Sequence, residues 1–279
     1  MKQITLLAFA LLIGCQSGEQ KTEIQEKTNP PVTIALSEQF TLYSEHTQQE
    51  YSIYIHVPFS YAGSEATYPV VYQLDADIGF GAAAEMCMLL PVRQEMPEVI
   101  LVGIAYGAYP GQEGNHRTRD FTPTKAADYS ASGGADDFFS FLQSELIPVI
   151  DSAYRTKPED RTISGASLSG LFSLYVLLKH PGVFQRYKIS SPSIWWDNDV
   201  IFELEEIYAE HYSDMAAKVF ISTGDAEGIV DAWHELIRIL KERDYEGLEL
   251  TSMVFKDAPH LTACWLAGCR GLRALFSEE

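Results

Sequence analysis

Residues 161–178 read RTISGASLSGLFSLYVLL. Arg161 to Ser164 fits a brief strand. Leu168 to Leu178 is so densely apolar that it fits a helix buried on most of its surface. Between them lies Gly165-Ala166-Ser167-Leu168-Ser169-Gly170. The small residues around Ser167 permit a sharp strand-to-helix turn that bulky neighbours would block. A turn of that kind presents the Ser167 hydroxyl at the end of a sheet.

Outward from this turn, strands and helices alternate. Tyr51–Val57 (YSIYIHV) alternates like a half-exposed strand, whereas Val70–Leu74 (VVYQL) and Val99–Ile104 (VILVGI) are short apolar runs of the kind buried on both faces. Lys218–Thr223 and Glu249–Phe255 read as further strands. Phe138–Tyr154 has helical spacing with a kink expected at Pro148. Ile229–Tyr245 is amphipathic through Ile229, Val230, Trp233, Leu236, Ile237 and Leu240, and Thr262–Phe276 is a last helix. This alternation predicts one α/β domain over residues 34–279, with a mostly parallel sheet covered by helices on both faces. The glycine-rich stretch 106–135 reads as an excursion over the C-terminal edge of that sheet, where α/β proteins hold their sites.

Composition narrows the function. The 279 residues are 46% hydrophobic, 21% charged and 12% aromatic, which excludes disorder as the main state. Acidic residues number 39 against 20 basic ones, a net charge of −19 that phosphate backbones would repel, so nucleic acid is not an expected partner.

Met1 and Lys2 precede an apolar run from Ile4 to Ile13. A membrane-spanning helix needs about 20 such residues, so the run fits the core of an export signal instead. It ends in Leu12-Ile13-Gly14-Cys15, which resembles a bacterial lipobox. Residues 1–15 are therefore expected to be a lipoprotein signal, with Cys15 carrying the lipid and the protein exported and anchored to a bacterial membrane, periplasmic or at the cell surface. Residues 16–33, closed by Pro30-Pro31, read as a flexible tether. Cys87, Cys264 and Cys269 remain. The spacing of the last two in a helix suits a disulfide poorly, and all three read as small core residues. No Cys/His spacing suits zinc, and no metal or organic cofactor is expected.

The turn at Ser167 resembles the nucleophile elbow of α/β hydrolases, G-x-S-x-G, except that Ser169 stands where those proteins usually have Gly. A serine hydroxyl needs a base in reach, and the base needs an orienting acid. His46, His56 and His116 precede the turn, His180 closes the following helix where it suits the C-terminal carbonyls, and His211 and His234 lie in helical stretches. His260 lies between the last strand and the last helix and is the candidate base. Past strand Lys218–Thr223, the candidate acids are Asp225, Glu227 and Asp231, and spacing favours none of them. The backbone N–H of Leu168 is one candidate donor to an oxyanion, and a second belongs in the loop after Val70–Leu74.

Longer strings carry a more specific likeness. Val71–Asp77 (VYQLDAD), Arg117–Pro123 (RTRDFTP), the run Gly134–Tyr154 and Ser190–Trp196 (SSPSIWW) resemble the esterase D-like family. Within it they most resemble the branch of siderophore esterases that hydrolyse enterobactin- and bacillibactin-type trilactones. The resemblance implies the α/β-hydrolase fold, Ser167 as nucleophile, His260 as base, Glu227 as acid and the N–H of Asp77 as second oxyanion donor. It also admits a Ser–His dyad that needs no acid. Arg117 and Arg119 would bind an anionic substrate group, or, with Asp120, pin a loop. Trp195 and Trp196 would wall an aromatic acyl group, or belong to the core. The function implied is a serine esterase working through an acyl-enzyme on siderophore trilactones. The alternative substrate is an acetyl or feruloyl ester of carbohydrate. A non-catalytic binding lipoprotein is the reading from another class. Ser169 favours it, while Ser167, His260 and the turn carboxylates oppose it.

Overall fold

Strands whose residues are apolar on both faces take the middle of the sheet, and those with alternating exposure take its edges. The computed structural model describes residues 32–277. Its elements in chain order are β1 (Ser37–Ser44), β2 (Gln49–His56), β3 (Tyr68–Gln73), α1 (Ala76–Leu89), β4 (Ile100–Ala105), α2 (Arg117–Asp120), α3 (Ala135–Phe141), α4 (Ile147–Ala153), β5 (Thr156–Ala166), α5 (Leu168–Lys179), β6 (Arg186–Ser190), α6 (Val200–His211), β7 (Asp214–Gly224), α7 (Val230–Arg243), β8 (Glu246–Phe255) and α8 (His260–Phe276). Cys15, the expected signal segment and nearly all of the expected tether lie outside the described residues. From Ile34 onward the chain packs as one unit.

The eight strands form one sheet in the order β1-β2-β4-β3-β5-β6-β7-β8. β1 pairs antiparallel with β2 and β2 with β4, while every later pairing is parallel. This is the α/β-hydrolase fold. One face is covered by a core that includes Phe138, Leu142, Phe172, Trp196 and Leu236, and the other by one that includes Phe80, Leu101, Phe220, Leu272 and Phe276. The strand order turns back at β3 and β5, so the ends of these neighbours open a crevice at the sheet's C-terminal edge.

The kink expected at Pro148 takes the form of a π-helical segment, Leu142–Leu146, joining α3 to α4. Proline has no N–H to donate, and a widened turn just before it also relieves the clash of its ring with the preceding turn. His260, expected between the last strand and a helix starting at Thr262, is itself the first residue of α8, after Pro259. Cys87 is buried, but Cys264 and Cys269 are only half-buried, so the expectation that all three are core residues fails for these two.

Candidate active site

β5 ends at Ala166 and α5 begins at Leu168, so Ser167 alone makes the turn between them. Its backbone is held at φ 60°, ψ −120°, a conformation that costs a non-glycine residue about 1–3 kcal/mol. Its surroundings hold it there: Ser167 N–H donates to Ser190 O at 3.0 Å, and Ser167 O accepts from Ser193 N at 3.0 Å and Leu171 N at 2.9 Å. Gly165 is required because a Cβ there would run into the backbone of Ser169.

Ser169, the departure from G-x-S-x-G, is fully buried and bonded into the turn. Its Oγ donates to Asp75 Oδ2 at 2.6 Å and accepts from Ala166 N at 2.9 Å. Asp75 in turn receives Arg117 through two bonds of 2.8 Å, Nε to Oδ1 and Nη2 to Oδ2. The hydroxyl at 169 thus ties the elbow to the end of β3, which a glycine would not do.

The imidazole arrives from the far side of the sheet. His260 Nδ1 lies 2.6 Å from Glu227 Oε2. The other oxygen, Oε1, accepts from Ser191 Oγ at 2.6 Å, Gly224 N at 2.7 Å and Thr223 Oγ1 at 3.3 Å. A carboxylate facing Nδ1 places the ring proton there, which leaves Nε2 as the basic nitrogen. Gly224 must be glycine, since a Cβ would strike Ala258 O just before His260. Of the three candidate acids, only Glu227 meets the imidazole. Asp225 instead accepts from Ala258 N at 3.2 Å, and Asp231 is exposed at the start of α7.

Ser167 and His260 line the same cavity, of about 280 Å³, between α1 and α8. The Ser167 hydroxyl rests 3.4 Å from Ser193 Oγ and makes no direct hydrogen bond to the imidazole. Catalytic hydrogen bonds are often long without substrate and tighten when it binds. The N–H of Leu168, first in α5, has no backbone acceptor. Asp77 stands second in α1, where an N–H also lacks an intrahelical partner. The Asp77 carboxylate accepts from Tyr106 N at 2.8 Å and Gly107 N at 2.9 Å, tethering the start of the 106–135 loop.

For three residues that the sequence left open between binding substrate and holding the structure, the contacts are structural. Trp196 is fully buried, with Nε1 donating to Thr124 O at 3.3 Å, so it anchors its loop and offers no pocket wall. Arg119 donates to Asp120 at 2.6 Å, and Asp120 also accepts from Tyr51 and Tyr106, so this guanidinium pins the loop. Arg117 lines the cavity, but its charge is taken by Asp75. Trp195 is half-exposed beside Tyr129, with ring centroids 6.4 Å apart. His180 stacks on Phe139 at 3.7 Å and contacts Tyr175 Oη, rather than helix carbonyls.

The residues sequence reasoning missed are Ser191, Ser193, Thr223 and Lys188. Lys188 lies at the middle of β6 and lines the cavity floor, 6% exposed, with Nζ 3.2 Å from Ser190 Oγ. Burial pushes its ammonium down from 10.5 to about 8. At about 1.4 kcal/mol per pH unit, a fall of that size is a penalty of a few kcal/mol on the charged form. Below pH 8 the lysine is protonated both folded and unfolded, and the fold bears the whole penalty. Between pH 8 and 10.5 the folded chain releases the proton first, so stability rises with pH. In urea melts, Lys188→Met is therefore expected to be more stable than wild type at pH 7, with the gap narrowing as pH rises from 8 to 10.5. A gap independent of pH would show that the lysine is not buried as a cation.

A family model described as "Putative esterase" matches residues 44–242. The chain is 31% identical to the ferri-bacillibactin esterase BesA of Bacillus subtilis, over 88% of this chain and 91% of that protein. It is 27% identical to the siderophore triacetylfusarinine C esterase of Aspergillus fumigatus, over 89% of this chain and 87% of that one. Among solved structures, the BES protein from Bacillus cereus superposes with a TM-score of 0.81 at 29% identity, covering 90% of this chain and 98% of that one. An IroE-like serine hydrolase from Shewanella oneidensis gives 0.77 at 25% identity, covering 86% and 80%.

Proposed function

The chain belongs to this esterase family and is a serine esterase, and from that premise we propose that the bonds it cleaves are the ester linkages of siderophores, trilactones of the catecholate type foremost. One observation carries the reading: the Ser167 elbow and the Glu227–His260 pair converge on one cavity, in a chain that aligns along nearly its whole length with a ferri-bacillibactin esterase.

In this reading Ser167 Oγ attacks the ester carbonyl while His260 Nε2 takes its proton. The imidazolium then protonates the departing alcohol, and water repeats the sequence on the acyl-enzyme. Glu227 holds the imidazole in the tautomer that can accept. The N–H groups of Leu168 and Asp77 receive the developing oxyanion, each donor worth about 3 kcal/mol of barrier.

The test compares kcat/KM on a catecholate trilactone with that on a feruloylated arabinose. An advantage of tenfold or more for the trilactone is expected. The same advantage for the sugar ester would overturn the siderophore assignment while leaving the esterase intact.

Export and lipid anchoring through Cys15 belong to the same proposal, supported by the run ending in Leu12-Ile13-Gly14-Cys15. Two or more acyl chains on one residue give stable membrane attachment. In cells fed labelled palmitate, wild type should take up label and Cys15→Ser should not. Equal labelling of both would remove the anchor.

A further inference from the structure

The cavity at Ser167 continues past the nucleophile as a groove between α1 and α8. Its walls are apolar, with Ile78, Ala82, Ala83 and Met86 on α1 facing Leu261 and Trp265 on α8. A volume of about 280 Å³ lies at the small end of ligand pockets, enough for one arm of a substrate rather than a whole macrocycle. At its floor stands Lys188, a cation buried where a hydrophobic side chain would serve the fold better. Its hydrogen bond within the described residues is to Ser190 Oγ, although an ammonium carries three donors. The carboxylates of the site are already engaged, Asp75 by Arg117 and Ser169, and Glu227 by His260. Ser190 also fixes how close this charge lies to the chemistry, since its carbonyl accepts the Ser167 N–H while its hydroxyl meets Lys188 Nζ.

Resting on the esterase reading above, we infer that this groove is the acyl subsite, and that it selects acyl groups with an apolar body and an anionic oxygen tip, which Lys188 receives. The acyl carbon sits at Ser167, the apolar body lies between α1 and α8, and the tip meets the ammonium in a low-dielectric setting where an ion pair forms a strong, directional contact. An ionised catechol arm has this character, and so does a short dicarboxylate hemiester. The groove also supplies the positive charge that Arg117 and Arg119, already paired, do not offer an anionic substrate on a chain of net charge −19.

The experiment measures kcat/KM for three p-nitrophenyl esters: acetate, hexanoate and the adipate hemiester, which is hexanoate-like in length but ends in a carboxylate. Lys188→Met should lower the adipate-to-hexanoate ratio at least tenfold. Ala83→Phe, which fills the groove from α1, should lower the hexanoate-to-acetate ratio at least tenfold. Thermal melts of both variants confirm that each is folded. Ratios that stay within twofold of wild type in either variant overturn the subsite. Acetate separates the two levels of the argument, because it is too short to use the groove. A wild-type protein active on acetate, with ratios that do not move, loses the subsite alone. One inert to all three esters loses the esterase reading and the subsite with it.

Discussion

Ser167→Ala is expected to lower kcat/KM on an activated ester by about 10⁴-fold or more and to abolish labelling by a fluorophosphonate probe. The substitution removes one oxygen whose contact in the structure is a 3.4 Å approach to Ser193 Oγ. Nothing else in the turn depends on it, because Ser167 is held through its backbone, by Ser190, Ser193 and Leu171. The variant should therefore fold like wild type, and substrate should still bind. Residual activity would come from binding and from the backbone oxyanion donors, which act without the nucleophile. A variant that keeps more than a tenth of wild-type activity, or that still labels, would mean the attacking group lies elsewhere. The half-buried Cys264 in the same cavity would then be the next residue to examine.

The sequence made the fold legible wherever burial leaves a periodic trace. The runs around Val71, Val102, Ile163 and Ile221 became central strands, and the Ile229–Tyr245 pattern became α7 with its apolar face inward. The missed elements lack that trace. β1 is an edge strand, largely exposed, with few apolar residues to betray it. α1 reads ADIGFGAAAEMCML, and two glycines with a run of alanines hide its helical period. β6 reads RYKIS, where a charged residue interrupts the pattern of a buried strand; that residue is Lys188, so the break in the pattern was itself the functional signal.

At the site, the nucleophile and base followed from the turn and from chain order. The acid did not, because a carboxylate's reach depends on how the chain leaves β7. Gly224 lets the backbone of Ala258 come close, and that approach sets His260 over Glu227 rather than Asp225. The two tryptophans and the arginines were ambiguous for the opposite reason. A residue type suited to binding is equally suited to holding a loop, and only contacts such as Trp196 Nε1 to Thr124 O or Arg119 to Asp120 decide between the two.

Glu227→Gln is expected to lower kcat by about 10³–10⁴-fold while leaving the protein folded. The reason lies in the division of labour between the two carboxylate oxygens. Oε1 accepts from Ser191 Oγ, Thr223 Oγ1 and Gly224 N, whereas Oε2 faces His260 Nδ1 alone. A glutamine has one acceptor oxygen to share between these sides. The two hydroxyls can rotate to accept from an amide NH₂, but the Gly224 N–H cannot, and a buried donor without an acceptor costs about 1–3 kcal/mol. The amide oxygen therefore stays with Gly224, and its NH₂ turns to the imidazole. His260 must then accept at Nδ1, which puts its proton on Nε2, and the ring can no longer take a proton from Ser167. The fold keeps its hydrogen bonds while the base is locked in the wrong tautomer, so the loss should fall on kcat, with KM little changed. Nitrogen-15 spectra of the imidazole would report the tautomer directly. A loss of less than tenfold would make Glu227 an anchor for the β7 turn, and would leave Ser167 and His260 to work as a pair.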